Sequence, residues 1–410
     1  MSDPTLRFIH AADFHLERPL GGVTEVPDHL RDLFIEAPYL AAERVFEAAL
    51  AEEVDFLVLA GDLLEAQRTG PRGPVFLADQ FERLAARQIA VYWAGGRVDP
   101  PEAWPEAVRL PDNVHVFPAG PPEHRIHQRD SVAVARLIGA SRSQGRTASL
   151  AEFEAEASGL FSVAVVHGRV EADALRSRPI HYWALGGNHA RQTLCGDPSP
   201  ALYPGSPQGR RPDQTGPHGC TLVVVDPQRG TRITPLPTDA VRWHQERVMV
   251  QPATTRAELQ TRLEERLVGL AESSPTMDLL VSWSVEGGGP LVASIRRGKL
   301  GDQLLAVLRQ RALAANYRVW SVSLTVESPG ELPAEWYEQE TILGDFLREL
   351  RQCQRDPETP LDLERYVGQV PWPGALGSML ELGDPARRRR VLREAALLGV
   401  DLLSGEGPPS

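Results

Sequence analysis

At 410 residues the chain is too long for one small core, and domains of roughly 100–200 residues predict two or three units. Hydrophobic content of 42% and charged content of 24% match an ordinary soluble globular protein. A net charge of −12 argues against a surface devoted to coating nucleic acid, while leaving room for a local basic groove.

LRFIHAAD, beginning at Leu6, reads as a strand, and PYLAAERVFEAALAEE as an amphipathic helix with Ala and Leu at helical spacing. VDFLVLAGD is a strand, FLADQFERLAARQ a helix, and IAVYWAGG a strand. FSVAVVHG, HYWALGG and GCTLVVVD follow as further strands. Alternating strands and helices up to about residue 235 predict an α/β layered unit. Pro and Gly cluster at 70–74, 100–105 and 118–122, marking surface loops, and Tyr203 to Gly219 reads as a long turn-rich connection.

After about Ala240 the texture changes. VRWHQERVMVQ reads as a strand, TTRAELQTRLEERLVGLAES as a helix, and MDLLVSWSVEG and GPLVASIRRG as strands. Glu286-Gly287-Gly288-Gly289 between the last two is most simply a hairpin turn. GDQLLAVLRQRALAA then reads as a helix and RVWSVSLTVES as a strand. From about Pro333, helix-like EWYEQETILGDFLRELRQ and PARRRRVLREAALLGVDLL flank a proline-rich stretch. Arg387 to Arg390 opens the last helix, as the solvated start of a partner-docking segment or as a contact for DNA phosphates.

The N-terminus lacks a basic start followed by an apolar run, and no apolar run approaches the ~20 residues needed to span a bilayer. Cys195, Cys220 and Cys353 are scattered, with no CxxC, so neither a disulfide framework nor a zinc ribbon is expected. A reducing cytoplasm fits best. Arginine supplies nearly all the positive charge, Lys299 being the only lysine; a GC-rich genome gives the same bias.

Five short segments carry the chemistry: Asp13-Phe14-His15, Gly61-Asp62, Gly96-Arg97-Val98-Asp99, His167-Gly168 and Gly186-Gly187-Asn188-His189. Most follow an apolar run, so they sit at predicted strand ends. Carboxylates and imidazoles gathered there suit Mn²⁺, Mg²⁺, Fe or Zn²⁺. Asp62, following VDFLVLAG, is the natural bridging carboxylate of a site that grips a phosphodiester between two cations. Alone it could equally be a turn or helix-cap residue; the ordered series is more specific than any member. His10, His29, His115, His124, His127, His181, His218 and His244 lack paired ligand spacing, and most read as loop or surface residues. Ser206 in PGSPQG lacks a nucleophile-elbow context and reads as a turn residue.

In these motifs the chain resembles the calcineurin-like metallophosphoesterases, in particular the SbcD/YhaO type of DNA-repair exonuclease. FIHAADFHLERPL, YWALGGNHARQ and YPGSPQGR followed by GPHGCTLVVVD carry the likeness, which extends over essentially the whole chain. It implies a four-layer αββα metallophosphoesterase sandwich (α/β, α+β) over residues 1–238, a capping α/β domain over 239–328, and a helical C-terminal extension over 329–410 that docks a partner. It implies one cation held by Asp13, His15, Asp62 and His189. For a second cation only Asp62 and His167 remain: Arg97 stands where the family has Asn, Gly187 where it has His, and Val98 where it has the catalytic His.

Arginine has only donors and cannot ligate a cation. The resemblance therefore implies one bound ion, Mn²⁺ before Mg²⁺, Fe or Zn²⁺, and reduced or absent catalysis, since losing a general acid costs ~10²–10⁴-fold in rate. Arg97 could grip a phosphate oxygen as a fixed cation, or merely pair with Asp99 or Asp62. The implied function is a nuclease subunit acting on DNA ends with an SMC-like, SbcC-like coiled-coil ATPase, with a homodimer as a further expectation and no membrane partner. The alternatives are a non-catalytic scaffold or regulatory subunit of such a complex and, less favoured, a small-substrate phosphatase.

Overall fold

A computed structural model describes residues 6–403 apart from 24, 66–69, 143–148, 155–158, 177, 297, 328–331, 333 and 357–384. The proline-rich stretch between the last two helices lies outside the described residues. The chain divides into two compact units, residues 1–244 with 276–280, and 245–275 with 281–410.

The first unit runs β1 (Leu6–Ala11), α1 (Asp28–Ala51), β2 (Phe56–Leu59), α2 (Arg72–Ala85), β3 (Ala90–Ala94), β4 (Val114–Phe117), β5 (Glu123–Arg129) and β6 (Val132–Ala140). It continues with β7 (Phe161–His167), α3 (Ala172–Arg176), β8 (Tyr182–Gly186), β9 (Gln192–Cys195), β10 (Ala201–Tyr203), β11 (Gly219–Val225) and β12 (Thr231–Pro237). These strands form two six-stranded sheets, ordered β12-β11-β1-β2-β3-β4 and β5-β6-β7-β8-β10-β9. Within each, four neighbours run parallel: β1 to β4, and β6, β7, β8, β10.

Alternation along the strands sends one set of side chains between the sheets. Phe8, Phe56, Val58 and Tyr92 from one sheet meet Leu137, Val163, Val165 and Tyr182 from the other. Phe8 stacks on Phe56 at 5.0 Å and meets Tyr182 edge-on at 5.2 Å. The opposite face of the first sheet, with Ile9, Leu57, Leu59 and Trp93, is covered by Val45 and Phe46 of α1 and Leu77 and Phe81 of α2. The outer face of the second sheet packs Trp183 and Leu185 against Phe153, Leu175 and Ile180. This is the mixed α/β sandwich implied by the motifs.

Helix α1 starts about ten residues before the predicted helix and runs through Pro38. A proline inside a helix removes one bond to the carbonyl four residues back, here that of Phe34. The Leu20 N–H donates to that same Phe34 carbonyl at 2.9 Å, so the acceptor stays satisfied. The Pro-Gly cluster at 70–74 is likewise partly helical, since α2 begins at Arg72. Among the histidines expected in surface loops, His10 in β1 and His127 in β5 are buried. Their rings lie between apolar faces, His10 Nδ1 against the Tyr182 hydroxyl at 3.1 Å and His127 Nδ1 against that of Tyr92 at 3.1 Å.

After β12 the chain forms β13 (Val241–Val250), α4 (Arg256–Ser273), β14 (Asp278–Gly287), α5 (Pro290–Arg296), α6 (Lys299–Ala314) and β15 (Val319–Val326), with sheet order β13-β14-β15. Thr255 and Glu258 form a reciprocal capping box at the start of α4. The segment Pro290–Arg296, expected as a strand, is a helix. Its buried residues Val292 and Ile295 are three apart, a helical spacing, and Pro290 suits the first turn. The Glu286–Gly289 stretch is thus a strand-to-helix turn rather than a hairpin. Among the described residues, α7 (Ala334–Tyr337), α8 (Ile342–Arg355) and the longer α9 (Pro385–Leu403) follow. In α9 the buried Arg388 donates to the carbonyl of Cys353 in α8 at 3.4 Å. All three cysteines are free thiols.

Candidate metal centre

The parallel strands of both sheets deliver their carboxyl ends to one place. Asp13 and His15 follow β1, Asp62 follows β2, His167 ends β7, and His189 follows β8. Ligand atoms of Asp13, His15 and His189 lie within 4.8 Å of one another, as do those of Asp13, Asp62 and His167. Asp13 is thus common to both groups. Asp62 bridges them through its two oxygens, Oδ1 lying 3.4 Å from His167 Nε2 and Oδ2 3.8 Å from His15 Nε2.

The backbone here is strained. Asp13, His15 and Asp62 have φ of +59°, +45° and +55°, the left-handed region that non-glycine residues avoid. Such conformations cost about 1–3 kcal/mol each and persist only where surrounding bonds fix them. Asp13 N–H donates to Gly61 O at 2.9 Å and His15 N–H to Asp62 O at 2.9 Å, locking the two strand ends together. Asp99 fixes the Asp62 turn further: it is buried, and its carboxylate accepts from the N–H groups of Asp62, Leu63 and Gly96 at 2.7–2.8 Å. At Gly96 an added Cβ would fall 2.3 Å from Asp62 Oδ1, so the close approach of these loops demands glycine.

Imidazole tautomers follow from the partners. His15 Nδ1 donates to Glu65 Oε1 at 2.9 Å, leaving its Nε2 free to ligate, while His167 Nδ1 donates to the Ala60 carbonyl at 2.8 Å and its Nε2 faces Asp62. At His189 the Arg210 N–H holds Gln214 Oε1 at 2.7 Å, which turns Gln214 Nε2 toward His189 Nδ1 at 3.1 Å. His189 therefore carries its proton on Nε2, facing His15 Nε2 at 3.0 Å. Ligation through that nitrogen requires the proton to leave Nε2 and Gln214 to turn.

Burial pushes Asp13 up to about 6, opposed by His167 and the Gly187 N–H. Burial would also raise Asp62, but the hydrogen bond and charge of His167, with His15 and the Val98 N–H, hold it well below the usual carboxylate range. His167 is raised to about 9: burial opposes its charge, but Asp62 and Asp13 outweigh it. Burial lowers His15, and lowers His189 to about 3 with help from Arg210.

The donor set fits a divalent cation. Two carboxylates and three imidazoles converge with little exposure, and His15 Nε2 and His189 Nε2 stand 3.0 Å apart. Adjacent ligands about 2.1 Å from an octahedral ion are separated by about 3.0 Å. A cation held by Asp13, His15, Asp62 and His189 competes with the proton of Asp13, which burial pushes up to about 6, so affinity should rise with pH up to about 6 and level off above it. Mn²⁺ titrations across that range check this; a flat profile would contradict it.

The three replaced positions behave differently from one another. Arg97 is exposed and makes no hydrogen bond or ion pair among the described residues, so the expected pairing with Asp99 or Asp62 does not form. Asp62 Oδ1 instead accepts from the Val98 N–H at 2.9 Å. Gly187 has φ +99°, and its N–H donates to Asp13 at 2.9 and 3.1 Å. A Cβ there would lie 3.3 Å from His167 Nε2. Glycine has therefore become a backbone clamp on Asp13 at the place of a side-chain ligand.

Sequence reasoning missed Glu65, Gln214 and Arg210. Glu65 lies three residues after Asp62, and the other two lie in the YPGSPQGR loop and its continuation, which reads as surface but carries the buried Ser206, Gln208 and Arg210. His181 and His218 stay outside the ligand groups; Ser206 is a turn residue whose hydroxyl donates to Gln208 O at 3.1 Å. A cleft of about 760 Å³ opens beside Gly187 and His189, lined also by Arg169, Arg191, His218 and Leu236. No described helix is long and apolar enough to cross a membrane.

No protein-family model matches the chain. It is 29% identical over 343 residues to the "Uncharacterized metallophosphoesterase YhaO" of Bacillus subtilis (strain 168), covering 80% of this chain and 83% of that protein. Among solved structures, a dimetal phosphatase from Danio rerio is similar at 12% identity and a TM-score of 0.34, covering 55% of this chain and 94% of the other. Along four-fifths of its length the chain is thus similar to a protein described as a metallophosphoesterase.

Proposed function

We propose that the chain is a cytoplasmic, divalent-cation-dependent phosphodiesterase that acts on DNA ends together with an SMC-like coiled-coil ATPase, with catalysis weakened by the loss of second-cation ligands. The observation that carries this reading is the convergence of Asp13, His15, Asp62, His167 and His189 in a YhaO-like chain. Asp13, His15, Asp62 and His189 would hold one ion, Mn²⁺ being the first choice for this mixed oxygen and nitrogen set. Such an ion supplies positive charge to a phosphoryl oxygen and acidifies bound water. Asp62 brings a full negative charge to the site, and His15, neutral and oriented by Glu65, brings a lone pair. Val98 offers no proton to a leaving oxygen, which removes general-acid assistance. DNA as substrate, and the ATPase as partner, rest on the motif likeness.

The three replacements favour a second reading, a non-catalytic subunit that recognises DNA ends or regulates the ATPase. A Mn²⁺-dependent exonuclease assay separates the two, run beside the triple variant Arg97→Asn, Val98→His, Gly187→His. Wild-type activity abolished by Asp62→Ala supports the enzyme; activity only in the triple variant supports the scaffold. Because Gly187 has φ +99°, the histidine in that variant carries strain of about 1–2 kcal/mol, readable as a lowered melting temperature.

A further inference from the structure

A second arginine of the motifs, Arg210, is buried where Arg97 is exposed. Arg210 follows Gly209 in the YPGSPQGR loop and is 4% exposed. Its Nη1 donates to the carbonyl of Phe14, the residue between Asp13 and His15, at 3.2 Å. Its Nη2 is buried without a hydrogen-bond partner among the described residues. Buried guanidinium donors are normally satisfied, because stripping water from a charged donor without replacement is costly. The bond to Phe14 ties the guanidinium to the turn that carries Asp13 and His15, and its charge acts on Asp13, Glu65, Asp62, His15 and His189. Burial lowers Arg210 only to about 10, which leaves it charged at neutral pH.

We propose that Arg210 is a phosphate-binding residue of this site, its free Nη2 donating to a non-bridging oxygen of the substrate phosphoryl group. The inference rests on the phosphodiesterase reading above. It gives the open donor a partner that is anionic and supplied only with substrate. Placement on a carbonyl within the Asp13–His15 turn fixes the guanidinium relative to the ligands, as a charge-stabilising donor requires. Arginine suits this role because its planar fork stays charged and can hold one acceptor in the protein while presenting another N–H to phosphate.

The test measures binding of inorganic phosphate to the full chain loaded with Mn²⁺ by calorimetry, with Mn²⁺ affinity measured separately by electron paramagnetic resonance. The variants are Arg210→Gln, Arg210→Lys and, as a control, the exposed Arg87→Gln. Both Arg210 variants should bind Mn²⁺ within about threefold of wild type and lose about tenfold or more in phosphate affinity, with Arg87→Gln unchanged. If Arg210→Gln fails to fold, Arg210→Lys carries the comparison, since it keeps the charge but loses the fork. Phosphate affinity unchanged in the folded Arg210 variants would overturn the proposal. So would parallel loss of Mn²⁺ and phosphate, which marks a merely structural arginine, and so would a Mn²⁺-loaded wild type that binds no phosphate. A wild type that takes up no Mn²⁺ would instead defeat the phosphodiesterase reading itself.

Discussion

Asp99→Ala is expected to destabilise the first unit by about 3 kcal/mol, at the low end for stranding three buried N–H donors at about 1–3 kcal/mol each. The carboxylate accepts from Asp62, Leu63 and Gly96, and no other carboxylate is so placed on this turn among the described residues. For a unit of this size the loss corresponds to a melting temperature lowered by about 6–12 °C. The left-handed Asp62 would also lose its restraint, so cation affinity should fall with stability. Asp99→Asn keeps one acceptor but turns an NH₂ group toward a backbone N–H, and should recover part of the loss. Thermal unfolding of the two variants beside wild type checks the ranking; an Asp99→Ala protein as stable as wild type would show that the three N–H groups find other acceptors.

Asp62→Ala is expected to lower Mn²⁺ affinity by about 100-fold or more, since even supporting residues around metal ligands cost 10–100-fold when removed. Asp62 is the group whose oxygens face both His15 and His167. Its removal also withdraws the charge that holds His167 protonated, so His167 should titrate well below about 9 in the variant. Arg97→Ala, by contrast, should leave Mn²⁺ affinity within about twofold, because the exposed Arg97 touches no ligand. Comparable losses in both variants would contradict the assignment of the charges made here.

What the sequence exposed was set by short-range rules. β1, β2, β3, β7, β8 and β11 are apolar runs bounded by glycine or acidic residues, and each was legible by composition. Asp13, His15, Asp62, His167 and His189 were legible because each closes or follows such a run. Edge strands were not: β5 is largely polar and mostly exposed, and β12 carries two prolines, which only an edge tolerates. Pro38 hid the first turns of α1, since the compensating donor, Leu20, lies outside the helix. The same limit applies at the site. Arg97 drew attention because a charge replaced a ligand in the motif. Arg210 closes the YPGSPQGR motif but carries no ligand chemistry there, and only the fold brings it to the Asp13–His15 turn.

The central claim is one complete cation position beside a dismantled one. Its most direct test is the stoichiometry of Mn²⁺ bound per chain, read by electron paramagnetic resonance of the free ion during titration near pH 8. One tightly bound ion per chain is the result expected from Asp13, His15, Asp62 and His189, with any further binding much weaker. Two ions of equal affinity, or none, would contradict it.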